Sequence, residues 1–163
     1  MERTLVLIKP DGVKRGLIGK ILNHYEEKSL EIVALKMLTA TKDSAKKHYS
    51  EHEGKDFFEE LINYVTEGKM CAMILMGEKA VDAARKINGD KDPIKAELAS
   101  IRGEFTLDKT HNLVHASDSS ENAEREITIW FPELTCSSEH TCDEKYKGTV
   151  DLFAKINGPL INV

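Results

Sequence analysis

The residues of this chain best suited to chemistry lie in one short run, Asn112-Leu113-Val114-His115-Ala116-Ser117-Asp118. It sets a histidine on a brief apolar stretch just before a helix start. Ser117-Asp118-Ser119-Ser120 offers several N-cap oxygens, and Glu121 stands three residues past Asp118, the spacing of a capping box. An imidazole at a strand end beside a capped helix has a fixed ring and an exposed edge. That is what a nucleophile or a proton carrier needs. A satisfied structural histidine fits the same run, so the surrounding residues must decide.

Three cations could serve this histidine. Lys9 ends an apolar strand, Arg85 lies on a helix, and Arg102 follows an irregular polar segment. Gathered round His115 they would suit phosphoryl transfer, in which catalysis is mostly positioning and electrostatic stabilisation of charge on phosphate oxygens. Scattered, they are ordinary surface charges. Glu126 falls two helical turns past Ser119, from where a carboxylate could reach the ring and fix its tautomer. A solvated helix residue is the alternative there. Gly12, Gly16, Gly19 and Lys20 after a strand invite a phosphate-loop reading, but the spacing fails. That loop needs four residues between its glycines and Ser or Thr after the lysine, where Ile21 stands. Cys136, His140 and Cys142 have no second close pair to complete a four-ligand zinc site.

The elements that must position these residues alternate between strand and helix. Thr4–Ile8 is apolar on both faces, as a central strand would be, and Lys9-Pro10-Asp11-Gly12 breaks it. A helix follows with Leu17, Ile18, Ile21, Leu22 and Tyr25 on one stripe. A second strand runs from Leu30 to Leu38, with Val33, Leu35 and Met37 set against Glu31, Ile32, Ala34 and Lys36. Two short helices, Asp43–Tyr49 and Phe57–Glu67, lead to a buried strand at Met70–Met76. A helix over Lys79–Asn88 ends at Gly89, residues 90–111 are irregular with one helical turn at most, and a last short strand ends at His115. The final helix, Ser119–Phe131, buries Ala123, Ile127 and Trp130 and stops at Pro132. This order predicts an α/β sandwich with helices on one face of the sheet.

Bulk properties narrow the classes. The 163 residues suffice for one well-packed domain, and 40% apolar with 31% charged content is that of a soluble globular protein. A net charge of −5 argues against nucleic acid or an anionic membrane as the main partner, while leaving room for a local basic pocket. Three cysteines are too few for a disulfide framework, and Cys71 reads as a small core residue. No signal or transit peptide and no membrane-length apolar run is visible, so a cytoplasmic location is expected.

With these residues in place, the chain resembles a known family. Thr4-Leu5-Val6-Leu7-Ile8-Lys9-Pro10-Asp11-Gly12-Val13, with Arg15-Gly16-Leu17-Ile18-Gly19 after it, resembles the opening of a nucleoside diphosphate kinase. Ile101-Arg102-Gly103-Glu104-Phe105 is similar to that family's arginine segment, and Asn112–Ser119 to its signature. Ala123-Glu124-Arg125-Glu126-Ile127 with Trp130-Phe131 resembles the helix that follows, and the match runs in register from about Glu2 to Leu134.

The resemblance implies a ferredoxin-like α/β (α+β) sandwich, with a four-stranded antiparallel sheet and helices packed on it. It implies ping-pong transfer of the γ-phosphoryl of a nucleoside triphosphate to a nucleoside diphosphate through a phosphohistidine on His115. By position, Lys9, Arg85 and Arg102 match phosphate-contacting residues, and Tyr49 and Asn112 match residues near the phosphates and sugar. Ser117 and Glu126 match the pair that supports the histidine. Phe57 and Leu61 match residues that sandwich the base, a contact indifferent to base identity; from spacing alone, a core stripe at i, i+4 is equally open. Mg²⁺ is expected to arrive on the nucleotide, since no carboxylate cluster suggests a dedicated site. A homo-oligomer is also implied.

The chain departs from the family in places. Lys91 stands where a phosphate-touching threonine is usual, and could contact phosphate as a point charge or point into solvent. Residues 94–100 lack the usual Pro-Gly-Thr, which bears on assembly, and Ala116 replaces a frequent glycine. The domain is therefore expected to span residues 1–134, with 135–163 an extension whose apolar residues, from Val150 to Ile161, predict packing on the domain or a neighbouring subunit. A binding module that kept the fold and lost transfer is the competing function; a binder would not need His115.

Overall fold

A computed structural model describes residues 1–134. The expectations for the Cys136–His140–Cys142 group and for the 135–163 extension fall outside the described residues. Strand β1 (Glu2–Ile8) runs through the middle of a four-stranded antiparallel sheet of order β2-β3-β1-β4. It pairs with β3 (Lys69–Gly77) from Glu2 opposite Gly77 to Ile8 opposite Cys71. On its other side lies β4 (Val114–Ala116), with His115 opposite Leu7. β2 (Glu31–Thr39) forms the far edge. The four-stranded antiparallel sheet expected from the family resemblance is thus present.

Helices cover both faces of the sheet, where the element order alone predicted one. β1 and β3 are apolar at consecutive positions, so neither of their faces tolerates water. Leu5, Leu7, Ala72 and Ile74 pack under α3 (Lys42–His48), α4 (Phe58–Thr66) and α7 (Ser120–Trp130), against Ala45, Ile62, Val65, Ile127 and Trp130. Val6, Ile8, Met73 and Leu75 pack under α2 (Ile18–Glu26), α5 (Ala80–Asn88) and α6 (Ile101–Phe105), against Ile21, Tyr25, Ala84 and Ile101.

Two local features differ from the sequence reading. The expected break after β1 is a one-turn helix, α1 (Pro10–Lys14), with Pro10 at its first position, where a missing N–H costs nothing. In β2 the pairing register slips between Ile32 and Ala34. That irregularity reverses which side chains face inward, so Leu35 and Met37 are 50% and 48% exposed while Ala34 and Leu38 pack inward. Within the segment read as irregular, α6 is capped by the Ser100 hydroxyl on the Gly103 N–H. A Cβ at Gly103 would collide with the Glu97 carbonyl oxygen, so the turn that carries Arg102 needs glycine there.

Candidate active site

A cavity of about 710 Å³ opens where the ends of β1 and β4 meet α3, α4, α7 and the segment after α5. Lys9, Tyr49, Phe57, Leu61, Arg85, Lys91, Arg102, Asn112, His115 and Glu126 all line it, so the three cations scattered in sequence converge. Ser117 is not on the wall; it is fully buried behind Glu126. Lys20, the lysine of the rejected phosphate loop, lies exposed over the Phe105 ring.

His115 sits in the middle of β4, whose pairing with β1 fixes its backbone. Its Nε2 is 2.9 Å from Glu126 Oε2, and the same oxygen accepts the Ser117 hydroxyl at 2.7 Å. The Leu5 N–H in turn donates to Ser117 Oγ at 3.3 Å, tying the relay to the central strand. A carboxylate accepts and does not donate, so this bond places the ring proton on Nε2 and leaves Nδ1 its lone pair. Burial, helped by the positive charges of Lys9, Arg102 and Lys91, pushes the His115 pKa down to about 3. The ring is therefore neutral at pH 7, as a nucleophile must be. Burial also raises the Glu126 pKa, a rise opposed by His48, Ser117 and Arg125.

The helix start that places Glu126 is capped by one of the four residues the sequence offered, but not through the Asp118–Glu121 spacing. Ser119, rather than Asp118, accepts the Asn122 N–H at 3.1 Å. Asp118 takes the Asn122 side-chain amide at 2.7 Å, and Glu121 is exposed.

Lys9 is buried, with Nζ donating to Asn112 Oδ1 at 2.7 Å. Burial, and then the Arg102 charge, pushes its pKa down to about 7, against an upward pull from Asp11. Arg102 is bound into the backbone. Its Nε, Nη1 and Nη2 donate to the carbonyls of Asn112, Gly89 and Val114 at 3.2, 2.7 and 2.6 Å. Three of five guanidinium donors are used, which holds the group rigid and leaves N–H for a ligand. Arg85 and Lys91 line the cavity as exposed residues. Tyr49 packs edge-on to His115 with ring centroids 6.1 Å apart, and its hydroxyl has no hydrogen-bond partner among the described residues. Phe57 is 48% exposed at the cavity, while its neighbour Phe58 takes the core position.

His48, unremarked in the sequence, completes the cluster. It is buried, accepts the Trp130 indole N–H on Nδ1 at 3.0 Å, and lies edge-on to His115 at 4.4 Å. Burial and the neighbouring His115 hold it neutral. The available signal was its place on the apolar stripe of α3, three residues after Ala45. His48, His115 and Glu126 bring potential ligand atoms within 4.8 Å of one another. Within the group, Glu126 Oε2 is shared by His115 Nε2 and Ser117 Oγ, and His48 Nδ1 accepts from Trp130.

The sequence model of the family described as Nucleoside diphosphate kinase matches residues 2–136. The chain belongs to the nucleoside diphosphate kinase family. A nucleoside diphosphate kinase of Clostridium perfringens is 53% identical over 134 residues, covering 82% of this chain and 94% of its own. One from Methanocaldococcus jannaschii is 51% identical over 132 residues, covering 81% and 94%. A solved nucleoside diphosphate kinase from Encephalitozoon cuniculi superposes with a TM-score of 0.81 at 34% identity, covering 92% of this chain and 99% of that one. The fold is accordingly the ferredoxin-like α/β fold of nucleoside diphosphate kinases, and the chain is a phosphotransferase.

Proposed function

We propose that His115 Nδ1 is the atom that carries the phosphoryl group in this nucleoside diphosphate kinase. In the first half-reaction Nδ1 attacks the γ-phosphorus of a nucleoside triphosphate; the N–P bond forms, the bond to the β-phosphate oxygen breaks, and the diphosphate leaves. A second diphosphate reverses the step and leaves as triphosphate. Lys9, Arg102, Arg85 and Lys91 offset charge on the phosphate oxygens, and Asn112 holds Lys9 in place. The Tyr49 hydroxyl has a proton to give a sugar or phosphate oxygen. Phe57 and Leu61 take the two faces of the base. Ser117 and Glu126 position the ring rather than touch the nucleotide.

The observation that carries this reading is the Nε2–Glu126 bond, which spends one ring nitrogen on support and frees the other. Mg²⁺ is proposed as part of the substrate, a magnesium nucleotide; the His48–His115–Glu126 group is rich in imidazole, which suits softer ions. Residues 1–134 are proposed as the catalytic unit. A homo-oligomer is proposed with β2 in its interface, because among the described residues this edge strand pairs on one side only and carries the exposed Leu35 and Met37. No helix among the described residues is long and apolar enough to cross a membrane. A cytoplasmic site of action, with the nucleotide pools the enzyme would equilibrate, belongs to the same proposal.

The test is isotope exchange between labelled ADP and ATP with no other acceptor present. Exchange in the parent protein and none in His115→Ala supports the reading; exchange that survives His115→Ala rules it out.

A further inference from the structure

The strand that bears His115 starts from a strained turn. Leu113 is fully buried and has φ +70°, a conformation that L-residues other than glycine seldom adopt. The Val114 N–H donates to the Asn112 carbonyl at 2.8 Å, closing a three-residue γ-turn on Leu113 of the rare positive-φ form. Such a turn persists only where its surroundings over-determine it.

Here the surroundings are Lys9 and Asp11, two residues apart just past the end of β1. The Lys9 N–H donates to the Leu113 carbonyl at 2.8 Å. Asp11 Oδ2 accepts the Leu113 N–H at 3.1 Å. The other Asp11 oxygen accepts the Tyr64 hydroxyl at 2.6 Å, which fixes the carboxylate against α4. Both polar groups of Leu113 are thus held from the same junction. What hangs on the turn is the site itself. Asn112 Oδ1 takes Lys9 Nζ, the carbonyls of Asn112 and Val114 take Arg102, and His115 is the next residue.

We propose that Asp11 is a positioning residue for phosphoryl transfer: its carboxylate holds the strained Leu113 turn, and through it the mutual placement of Lys9, Arg102 and His115. The proposal rests on the reading of His115 as the phosphoryl carrier. A second effect follows from charge. Lys9 is faced by Arg102 from α6, Lys91 from the segment after α5, the neutral His115 of β4 and the Tyr64 ring of α4, 5.5 Å from Nζ. Asp11 supplies the negative charge that pulls the other way.

Two substitutions separate shape from charge. Asp11→Ala removes both acceptors. Asp11→Asn keeps the outline, with its carbonyl able to accept from Leu113 and its amide able to donate to the Tyr64 oxygen. The readouts are quenched-flow phosphorylation of the enzyme by labelled magnesium-ATP, and magnesium-ADP affinity by titration. Asp11→Ala is expected to slow phosphorylation on the order of a hundredfold, as displacements near 1 Å do, with ADP affinity held within about threefold. Asp11→Asn is expected to keep most of the parent rate only on the acid side of neutrality, with the alkaline fall moved to lower pH. Wild-type phosphorylation by Asp11→Ala, or an unshifted alkaline limb in Asp11→Asn, overturns the proposal. If Asp11→Ala does not fold, Tyr64→Phe replaces it. Loss of the hydroxyl that fixes Asp11 should lower the phosphorylation rate several-fold at unchanged ADP affinity, and an unchanged rate overturns the proposal. A parent enzyme that forms no phosphoenzyme would overturn the reading of His115 first, before any Asp11 variant is compared.

Discussion

Replacing Glu126 with glutamine removes one charge and almost no volume at the point where the structure concentrates support for His115. The amide oxygen can still accept from His115 Nε2 and from Ser117 Oγ, which now share Glu126 Oε2 at 2.9 and 2.7 Å. What disappears is charge assistance. Hydrogen bonds to charged groups contribute about 1.5–3 kcal/mol, and neutral ones about 0.5–1.5. The bond gains importance as phosphorylation draws electron density out of the ring, so roughly 1.5 kcal/mol of transition-state stabilisation is at stake. At about 1.4 kcal/mol per decade, Glu126→Gln should phosphorylate about tenfold more slowly in single-turnover experiments with magnesium-ATP, at unchanged ADP affinity. Stability should move the other way or stay level, because burial already raises the Glu126 pKa and the neutral amide escapes that penalty. A rate within twofold of the parent would refute the support role. So would a rate loss that merely tracks a fall in Tm.

Other consequences of the geometry are open to direct measurement. The His115 pKa is pushed down to about 3, and that of buried His48 also lies below the ordinary value of 6.5, so the folded state takes up fewer protons than the unfolded one between those limits. Their contribution to stability is complete above about pH 6.5 and is lost as pH falls; thermal unfolding from pH 7 to pH 4.5 should show this slope, shallower in His115→Ala. Lys9, with its pKa pushed down to about 7, loses its charge just above neutrality in the free enzyme. kcat/KM should therefore fall above about pH 7, and the limb should vanish in Lys9→Met, whose rate is low throughout. Phe57→Ala should weaken nucleotide binding by about 1–3 kcal/mol, the usual worth of an aromatic under a base, to a similar degree for ADP, GDP and CDP. A loss confined to one base would contradict simple stacking. Leu35→Asp with Met37→Asp should lower the mass seen by light scattering if β2 lies in a subunit interface.

Much of this architecture was legible because it rests on local pattern. The consecutive apolar residues of β1 and β3 mark central strands, and the Ala123, Ile127, Trp130 spacing with Pro132 marks α7 and its end. The outward turn of Leu35 and Met37 was not legible, since one irregularity in β2 pairing reverses inside and outside without any residue that announces it. His115, Lys9, Arg102 and Glu126 stood out by chemical type and by family resemblance. His48, Asp11 and Tyr64 did not, for a physical reason. Their partners lie far off in sequence: 82 residues separate His48 from Trp130, and 102 separate Asp11 from Leu113. Nothing in a histidine beside Tyr49, or an aspartate after Pro10, reveals such a bond until the sheet brings the segments together.

The central claim, that His115 is a covalent way-station between two nucleotides, is tested most directly by intact mass. The protein is incubated with magnesium-ATP, weighed, and then chased with GDP. One added phosphoryl group that is acid-labile, absent in His115→Ala and discharged by GDP is the predicted result. A protein that binds ATP yet gains no mass, or whose added group GDP does not remove, would contradict it.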